Sequence, residues 1–97
     1  MLRHVVLFRF TDDTTAEDVE AIHAGLASLP GQIPEIRSYN HGKDARVGEN
    51  TWDYGIVAEF DDAAAWEVYD LHPAHDKVRA DLVKPHLAER ATVRFEA

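Results

Sequence analysis

The chain has 97 residues, which is enough for one compact domain and too few for a second independent core. Its 18 acidic residues outnumber its 10 basic ones, and the formal net charge of -8 argues against a nucleic-acid partner because such a surface repels phosphates. The chain has no cysteine, which excludes disulfides, a thiolate nucleophile and a cysteine-ligated zinc site, and which fits a reducing compartment.

The first ten residues, MLRHVVLFRF, contain an apolar run of four that is flanked by Arg3, His4 and Arg9. Such a run is too short for a signal-peptide core or a membrane span. We therefore expect a cytoplasmic protein with no membrane partner.

The first half of the chain predicts a strand, a helix and a second strand. RHVVLFRF is rich in β-branched and aromatic residues, as strands are, and Thr14 or Thr15 in the following TDDTT cluster can cap a helix. That helix presents apolar residues and one histidine at helical spacing: Val19, Ile22, His23, Leu26 and Leu29. LPGQIP ends the helix, and we expect the second strand at about residues 33–42.

The second half predicts a third strand, two helical pieces and a last strand. TWDYGIVAEF alternates as strands do, and its apolar side carries Trp52, Tyr54, Ile56, Ala58 and Phe60. Asp61 or Asp62 can cap a helix over about residues 63–71. Pro73 opens another helical piece that runs to about Val83, and ATVRFEA closes the chain as a strand.

The resulting order, βαββαβ, predicts an α+β protein of the ferredoxin-like kind, in which two helices cover one face of a four-stranded antiparallel sheet. The other sheet face is then bare, although the alternation places Val5, Leu7 and Val57 on it. Apolar surface of this kind is typically buried against a partner, and the simplest partner is a second copy of the chain. We therefore predict a homodimer joined sheet to sheet, with a monomer that exposes a few aliphatic residues as the alternative.

Four stretches resemble the stress-responsive A/B barrel (Dabb) family over essentially the whole chain: RHVVLFRF, LASLPGQIPEI, WDYGIVAEFDDAAAWEVYDLHPAHDKV and the closing VRF. The distinctive marks are the early histidine, the Leu-Pro and Ile-Pro pair, the Asp-Tyr that opens strand three and the Y-x-x-HPAH run. The resemblance implies one domain over residues 1–97, whose sheet pairs with that of a twin subunit to form a dimeric α+β barrel.

The resemblance also suggests an activity, because the family includes plant polyketide cyclases beside plant stress proteins and bacterial members of unknown role. The cyclases close a linear polyketide by aldol condensation. Their reacting tyrosine and histidine fall on Tyr69 and His75, and their first-strand histidine falls on His4. A further pocket histidine and a pocket tyrosine fall on Ile56 and Leu26, which implies a more apolar pocket and argues against the same substrate. A shared fold does not by itself carry an activity.

This chemistry needs a base that titrates near neutrality and a donor for a developing enolate oxygen, and an imidazole and a phenol suit these roles. His75 would be the base and Tyr69 the donor. Their spacing along an unbroken helix would leave them about 120° apart, but Pro73 breaks the helix and can bring both to one cleft. His75 then lies in the first turn of the second helical piece, where the helix dipole favours a neutral imidazole at pH 7.

The candidate residues for lining a small-molecule site come from the first strand, the first helix, the third strand and the second helix: His4, Phe8, Leu26, Ile56, Trp66 and His72. Trp66 and Tyr69 are three apart on one helix face, so both can reach the cleft. His72 is also a natural cap beside Pro73, which is its structural interpretation. The remaining histidines are interpreted as surface or boundary residues: His23, His41 and His86.

A metal site is the rival chemistry for the YDLHPAH run. His72 and His75 are three residues apart, as metal ligands on a helix can be. Asp70 and Asp76 lie nearby. Pro73 disrupts the helical spacing of the two histidines, and the chain offers no second cluster of metal ligands. We therefore predict no metal and no cofactor.

Two functions therefore stay open. One is a small enzyme that binds an apolar carbonyl compound between sheet and helices and uses His75 and Tyr69 as an acid–base pair. The other is a non-catalytic, stress-related binding or structural module. A cofactor-independent monooxygenase is a third alternative, as in related ferredoxin-like dimers. A cavity onto which His4, Tyr69 and His75 converge would favour the enzyme.

Overall fold

The computed structural model describes residues 1–97. Its strands and α-helices are, in chain order, β1 (Leu2–Phe10), α1 (Ala16–Ala27), β2 (Ser38–Lys43), β3 (Tyr54–Phe60), α2 (Ala63–Leu71), α3 (Pro73–Val78) and β4 (Leu87–Glu96). Between α3 and β4 the chain forms a π-helical turn, Arg79–Val83, and a 3-10 turn, Lys84–His86. The predicted βαββαβ order and α+β class are confirmed. None of the helices combines the length and the apolar character that a bilayer span requires.

The four strands form one antiparallel sheet in the order β2-β3-β1-β4, which is the ferredoxin-like arrangement. The central strand β1 pairs with both β3 and β4. Alternate residues of β1 are buried under the helices: Leu2, His4, Val6 and Phe8. The period-two pattern of the sequence therefore gives the correct helix-facing side of this strand.

Three strands differ from the predicted bounds, and the first of these differences is that β3 begins at Tyr54, which leaves Trp52 outside the strand. β2 begins at Ser38 rather than near Ile33, because Ile33 lies in a turn where its N–H donates to the carbonyl of Leu29 at 2.9 Å. Both residues of that turn are fully buried, so they anchor it in the core. β4 begins at Leu87 rather than Ala91, because pairing with β1 extends the strand into the preceding polar residues.

The helices α1 and α2 are each capped by a residue that the sequence offers as a possible cap. Thr15 begins α1 with a capping box, in which its hydroxyl accepts from the N–H of Asp18 at 3.1 Å and the carboxylate accepts from the Thr15 N–H at 2.9 Å. Asp62 begins α2, and its carboxylate accepts from the N–H of Ala65 at 2.9 Å. Each cap contributes about 1 kcal/mol. These local contacts set where the helices begin and thus which side chains they carry toward the sheet.

The helices pack on the buried face of the sheet. On the sheet side the core consists of Val6, Phe8, Tyr54, Ile56, Ala58 and Phe60. On the helix side, Ile22 and Leu26 of α1 are buried. Gly25 lies where α1 meets the π-helical turn, and a methyl group added there would come within 2.5 Å of Leu82 Cδ1. The missing side chain lets α1 approach the helical segment that carries His75.

The sheet face that points away from the helices carries apolar side chains. Val5 of β1 pairs with Val57 of β3 and Val93 of β4, so three valines lie side by side across the strands. Val57, Val93 and Phe95 are 39%, 54% and 42% exposed. We refer to Val5, Val57, Val93 and Phe95 as the outer sheet face.

Candidate functional site

A cavity of about 240 Å³ lies between the helices and the sheet. Its lining comes from every layer of the fold: His4, Val6, Phe8, Leu26, Ile56, Tyr69, His75, Arg79, Val83, Lys84, Leu87 and Arg90. Most of these residues are buried, whereas Lys84 and Arg90 are exposed and mark the mouth. The volume is just below the ~300–1,000 Å³ of pockets for drug-sized ligands, so the cavity suits a small molecule.

A larger groove, of about 350 Å³, lies at the surface between the end of α1 and the helical segment that follows Pro73. Its walls are formed by residues such as Gln32, Lys77 and Asp81, and none of the candidate residues lies on it. The residues predicted as the acid–base pair, Tyr69 and His75, instead line the smaller, buried cavity.

The structure brings six of the candidate residues together at the cavity: His4, Phe8, Leu26, Ile56, Tyr69 and His75. The other two, Trp66 and His72, lie outside it. Trp66 packs against His4 with ring centroids 6.0 Å apart, and the guanidinium of Arg94 lies 4.3 Å over the indole ring. His72 is used at the helix junction, where its Nδ1 accepts from the N–H of Ala74 at 3.0 Å. Its lone pair is thus committed to the backbone.

Pro73 breaks the helix between Tyr69 and His75. α2 ends at Leu71, His72 is extended with φ -68° and ψ 135°, and Pro73 is the first residue of α3. The rings of Tyr69 and His75 stack with centroids 4.0 Å apart and planes at 23°. An unbroken helix would have turned them about 120° away from each other. The YDLHPAH run is therefore both a helix junction and a wall of the cavity.

His75 lines the cavity with a free lone pair on its ring. Its Nδ1 lies 3.0 Å from the backbone carbonyl of Tyr69, and because a carbonyl only accepts, Nδ1 carries the proton. Nε2 keeps its lone pair and has no hydrogen-bond partner within the protein. Burial, followed by the positive charge of Arg79, lowers the pKa of His75 to about 4. The imidazole is neutral at pH 7, as expected, but burial rather than the helix dipole is the main cause.

His4 has the opposite tautomer. Nη1 of Arg94 lies 3.3 Å from its Nδ1, and because a guanidinium only donates, Nδ1 is the acceptor and Nε2 carries the proton. Burial, then the charges of Arg94 and Arg90, lower the pKa of His4 to about 4. The two cavity histidines are therefore both neutral, one with a free acceptor and the other with an N–H donor at Nε2.

The hydroxyl of Tyr69 bonds to Tyr39, a residue that the sequence did not point to. The two hydroxyls are 2.8 Å apart and neither has another hydrogen-bond partner within the protein, so either can donate. When Tyr39 donates, the Tyr69 O–H is free. Burial raises the pKa of both phenols, so both are protonated at pH 7. Tyr69, His75 and His4 are named here the cavity cluster.

Three cationic side chains of the cavity were also missing from the sequence analysis: Arg79, Lys84 and Arg90. Arg79 is held by ion pairs with Asp70, at 3.0 Å, and with Asp76. Lys84 and Arg90 form no ion pair within the chain. Strand register is the signal for Arg90, because it lies opposite Phe8 and so on the helix-facing side. The predicted last strand began one residue too late to include it.

A second tyrosine–histidine cluster lies away from this cavity. Nδ1 of His23 and Nδ1 of His41 lie 3.1 and 2.7 Å from the hydroxyl of Tyr54, and the two imidazole centroids are 4.5 Å apart. Burial raises the pKa of Tyr54 to about 12, and burial and then His23 lower the pKa of His41. These three residues are named the Tyr54 cluster. The two histidines do lie at the boundary of the core, but they share a core phenol.

No three His, Asp or Glu side chains converge in a way that could hold a metal ion. The spacing of His72 and His75 does not produce a ligand pair, because Nδ1 of His72 faces the backbone of α3 and Nδ1 of His75 faces that of α2. Asp70 and Asp76 are both engaged by Arg79. The polar groups of the run are thus used for the junction and the cavity.

Comparisons with known proteins agree with this architecture. The family model of the Stress Responsive A/B Barrel Domain (Dabb) matches residues 2–97. A stress-response A/B barrel domain-containing protein of Arabidopsis thaliana is 30% identical over 76 residues, which are 76% of this chain and 70% of that protein. A crystal structure of a dimeric ferredoxin-like protein of unknown function from Thermobifida fusca matches with a TM-score of 0.92 and 34% identity, over 99% of this chain and 90% of that one.

A hydroxynitrile lyase from Passiflora edulis has the same fold, with a TM-score of 0.83 over 97% of this chain and 90% of that one. At 15% identity, this likeness concerns the fold alone. The family match, in contrast, extends over nearly the whole sequence, and it includes both the first-strand histidine and the YDLHPAH run. The chain is a member of the stress-responsive A/B barrel (Dabb) family.

Proposed function

We propose that this Dabb protein is a cytoplasmic homodimer that binds a small apolar carbonyl compound in its cavity and moves a proton on it, as in an aldol-type cyclisation. The observation that carries the proposal is the stacked pair of Tyr69 and His75, which combines a free imidazole lone pair with a phenol at one small apolar space. A base beside a hydrogen-bond donor in a buried cavity is the arrangement that enolate chemistry needs.

The proposed step begins at the carbon next to the carbonyl group of the ligand. Nε2 of His75 takes a proton from that carbon, and the electron pair of the C–H bond moves into the carbonyl group to give an enolate. Tyr69 O–H donates a hydrogen bond to the enolate oxygen, and Nε2–H of His4 is a second donor. In a cyclisation the enolate carbon then bonds to a second carbonyl carbon, and the imidazolium of His75 returns its proton to the resulting alkoxide.

The low pKa of His75 restricts the compounds that it can activate. An imidazole whose conjugate acid has a pKa of about 4 is a weak base. Proton transfer from an ordinary ketone to such a base is strongly uphill, whereas a carbon between two carbonyl groups is far more acidic. We therefore expect the ligand to contain a 1,3-dicarbonyl unit, which is the unit that repeats along a polyketide chain.

The outer sheet face supports the homodimer. Val57, Val93 and Phe95 expose apolar surface in the middle and at the edge of the sheet, and a second sheet would cover it. The dimeric state of the Thermobifida fusca relative supports the same assembly. Val93→Asp is expected to give a monomer in analytical ultracentrifugation, because it buries a charge at the contact. A dimer of unchanged affinity would contradict the sheet-to-sheet contact.

The direct test of the chemistry is hydrogen–deuterium exchange at the methylene group of 1-phenylbutane-1,3-dione, followed by proton NMR in D2O. The protein is expected to speed the exchange above the buffer rate, and His75→Gln is expected to remove about a hundredfold of that acceleration. His41→Gln is the matched control, since it removes an imidazole from the Tyr54 cluster. Unchanged exchange in His75→Gln would contradict the assignment of the base.

A non-catalytic binding module is the second candidate, and the weak basicity of His75 favours it. In that case the same diketone would shift the NMR signals of cavity residues such as Phe8 and Ile56, while its exchange stays at the buffer rate. A diketone that neither shifts those signals nor exchanges faster would contradict both candidates.

A further inference from the structure

The cavity is positively charged although the protein is acidic. The chain carries 18 acidic and 10 basic residues, for a net charge of -8, yet the lining of the cavity includes three cations and no carboxylate. The cations are Arg79, Lys84 and Arg90. A cavity whose fixed charge is opposite to that of the whole surface favours an anion at a place where the surrounding field would otherwise repel it.

Two of these cations have no counter-charge within the protein. Arg79 is not free, because Asp70 and Asp76 hold its guanidinium in ion pairs. Lys84 and Arg90 form no ion pair, in a chain where acidic residues are almost twice as numerous as basic ones. Their charges are therefore available to a ligand at the mouth of the cavity.

Lys84 and Arg90 approach the mouth from opposite walls. Lys84 is the first residue of the 3-10 turn, in the helical layer. Arg90 lies on β4 opposite Phe8 of β1, and paired residues share a sheet face, so its side chain projects toward the helices. Both cations are exposed, whereas Tyr69 behind them is only 2% exposed. The proposed dimer uses the other face of the sheet and leaves Arg90 accessible.

The polarity of the cavity thus changes from its buried end to its mouth. The buried end holds the neutral polar atoms of Tyr69 and His75, and the walls between are apolar, with Phe8 and Ile56 among them. We propose that the ligand is a small keto acid, whose carbonyl group meets Tyr69 and His75 and whose carboxylate lies between Lys84 and Arg90. A carboxylate suits these two side chains because it accepts charge-assisted hydrogen bonds from both. The position of its carbonyl group rests on the function proposed above.

The test compares two ligands of nearly the same shape that differ in charge, 4-acetylbenzoate and 1,4-diacetylbenzene. Binding is followed by chemical-shift changes of the 15N-labelled protein. The carboxylate is expected to bind roughly tenfold more tightly at low salt, and this preference is expected to shrink in about 0.5 M NaCl, where exposed charges are screened. The neutral diketone should be insensitive to salt.

Single substitutions identify the cations that hold the carboxylate. Lys84→Met and Arg90→Gln are each expected to weaken the binding of 4-acetylbenzoate roughly fivefold and to leave that of 1,4-diacetylbenzene unchanged. Both side chains are exposed, so neither change should affect folding. Lys77→Met is the matched control, because Lys77 is an exposed cation that pairs with Asp81 outside this cavity.

The outcomes separate this inference from the proposed function. Equal affinity for the two ligands, or an anion preference that survives both substitutions, would overturn the keto acid and leave the carbonyl site standing. A loss of equal size in Lys77→Met would overturn it as well, since the preference would then reflect the charge of the whole protein. If neither ligand binds, the keto acid is overturned as well, and the methylene exchange of 1-phenylbutane-1,3-dione then decides separately whether the proposed function stands.

Discussion

The cavity cluster and the Tyr54 cluster each place two histidines around one tyrosine, but only in the Tyr54 cluster do the histidines bind the tyrosine hydroxyl. In the Tyr54 cluster both imidazoles direct Nδ1 at the same hydroxyl, at 3.1 and 2.7 Å. In the cavity cluster the tyrosine ring lies 4.0 Å from one imidazole centroid and 6.1 Å from the other, and no hydrogen bond joins its side chains. The two clusters therefore contain the same residue types but differ in their hydrogen bonding.

Hydrogen-bond accounting explains the difference. In the Tyr54 cluster both hydrogen bonds of the phenol are made with imidazoles of the same cluster, whose tautomers decide which atom donates in each. The cavity cluster instead takes its partners from elsewhere: a backbone carbonyl, Arg94 and Tyr39. Each of these contacts leaves one atom of the cluster free. A candidate site is therefore marked by unused donors and acceptors beside an apolar space, and not by the residue types alone.

Acid is expected to cause the largest loss in the free energy of unfolding, because the cavity histidines resist protonation in the folded protein. The pKa values of His4 and His75 are about 4 in the folded protein, against about 6.5 in the unfolded chain. Between these values the unfolded state binds protons that the folded state does not. The stabilisation is complete above pH 6.5, decreases progressively as the pH falls from about 6.5 to 4, and amounts to roughly 3 kcal/mol for each group.

Urea denaturation at pH 7 and at about pH 4.5 measures this loss. His75→Gln should lose about 2–3 kcal/mol less than the wild type between the two conditions, because glutamine does not titrate. Comparing each protein with itself removes any effect of the substitution that does not depend on pH. Equal losses in the two proteins would mean that His75 is not held neutral by its surroundings.

Removing one hydroxyl from each cluster sharpens the comparison. Tyr69→Phe deprives Tyr39 of its hydrogen-bond partner and the ligand of a donor, so we expect a loss of about 1–2 kcal/mol in stability and about tenfold in methylene exchange. Tyr54→Phe should cost about 1 kcal/mol and leave the exchange unchanged, because His23 is exposed and can turn to water. Thermal unfolding and the NMR exchange assay give both values. An exchange defect in Tyr54→Phe would end the distinction between the clusters.

His72 provides a smaller test, on the structural side of the YDLHPAH run. His72→Ala removes the cap of α3 and should cost about 1 kcal/mol in thermal unfolding, whereas His72→Asn should restore most of it, since asparagine caps well. Ligand binding is expected to be the same in both variants. If binding weakens in both, His72 belongs to the ligand site, as the sequence first suggested.

The smallest effect is expected from Arg94→Met, which should change only the pKa and the tautomer of His4. Arg94→Met removes the donor to Nδ1 of His4 and one of the charges that lower its pKa, so the pKa of His4 should rise. The imidazole proton should also spread over both nitrogens. Long-range proton–nitrogen NMR spectra report both changes, and a spectrum identical to that of the wild type would show that Arg94 does not position His4.

Local rules were sufficient to predict the wall of the cavity that Tyr69 and His75 form. A proline prefers the first position of a helix and the residue before it avoids helical geometry, so the break at Pro73 follows from neighbouring residues. Period-two alternation likewise predicts that His4 and Phe8 share the helix-facing side of β1. Each of these inferences uses residues that are only a few positions apart.

The rest of the cavity could not be predicted because it depends on contacts between distant segments. Arg90 reaches the mouth only because β4 pairs with β1 in one particular register. Tyr39 meets Tyr69 across the interface between sheet and helices. Trp66 is the opposite case, a residue predicted to line the cavity that does not. Helical spacing places it near Tyr69 on α2, but its ring is covered by Arg94.

The central claim is that the cavity holds two neutral histidines of opposite tautomer, so that one offers an acceptor and the other a donor. Long-range proton–nitrogen NMR of the wild-type protein at pH 7 tests it directly, because imidazolium and the two neutral tautomers give distinct nitrogen shifts. The structure predicts a proton on Nδ1 of His75 and on Nε2 of His4. An imidazolium at either position, or the same tautomer at both, would contradict the account.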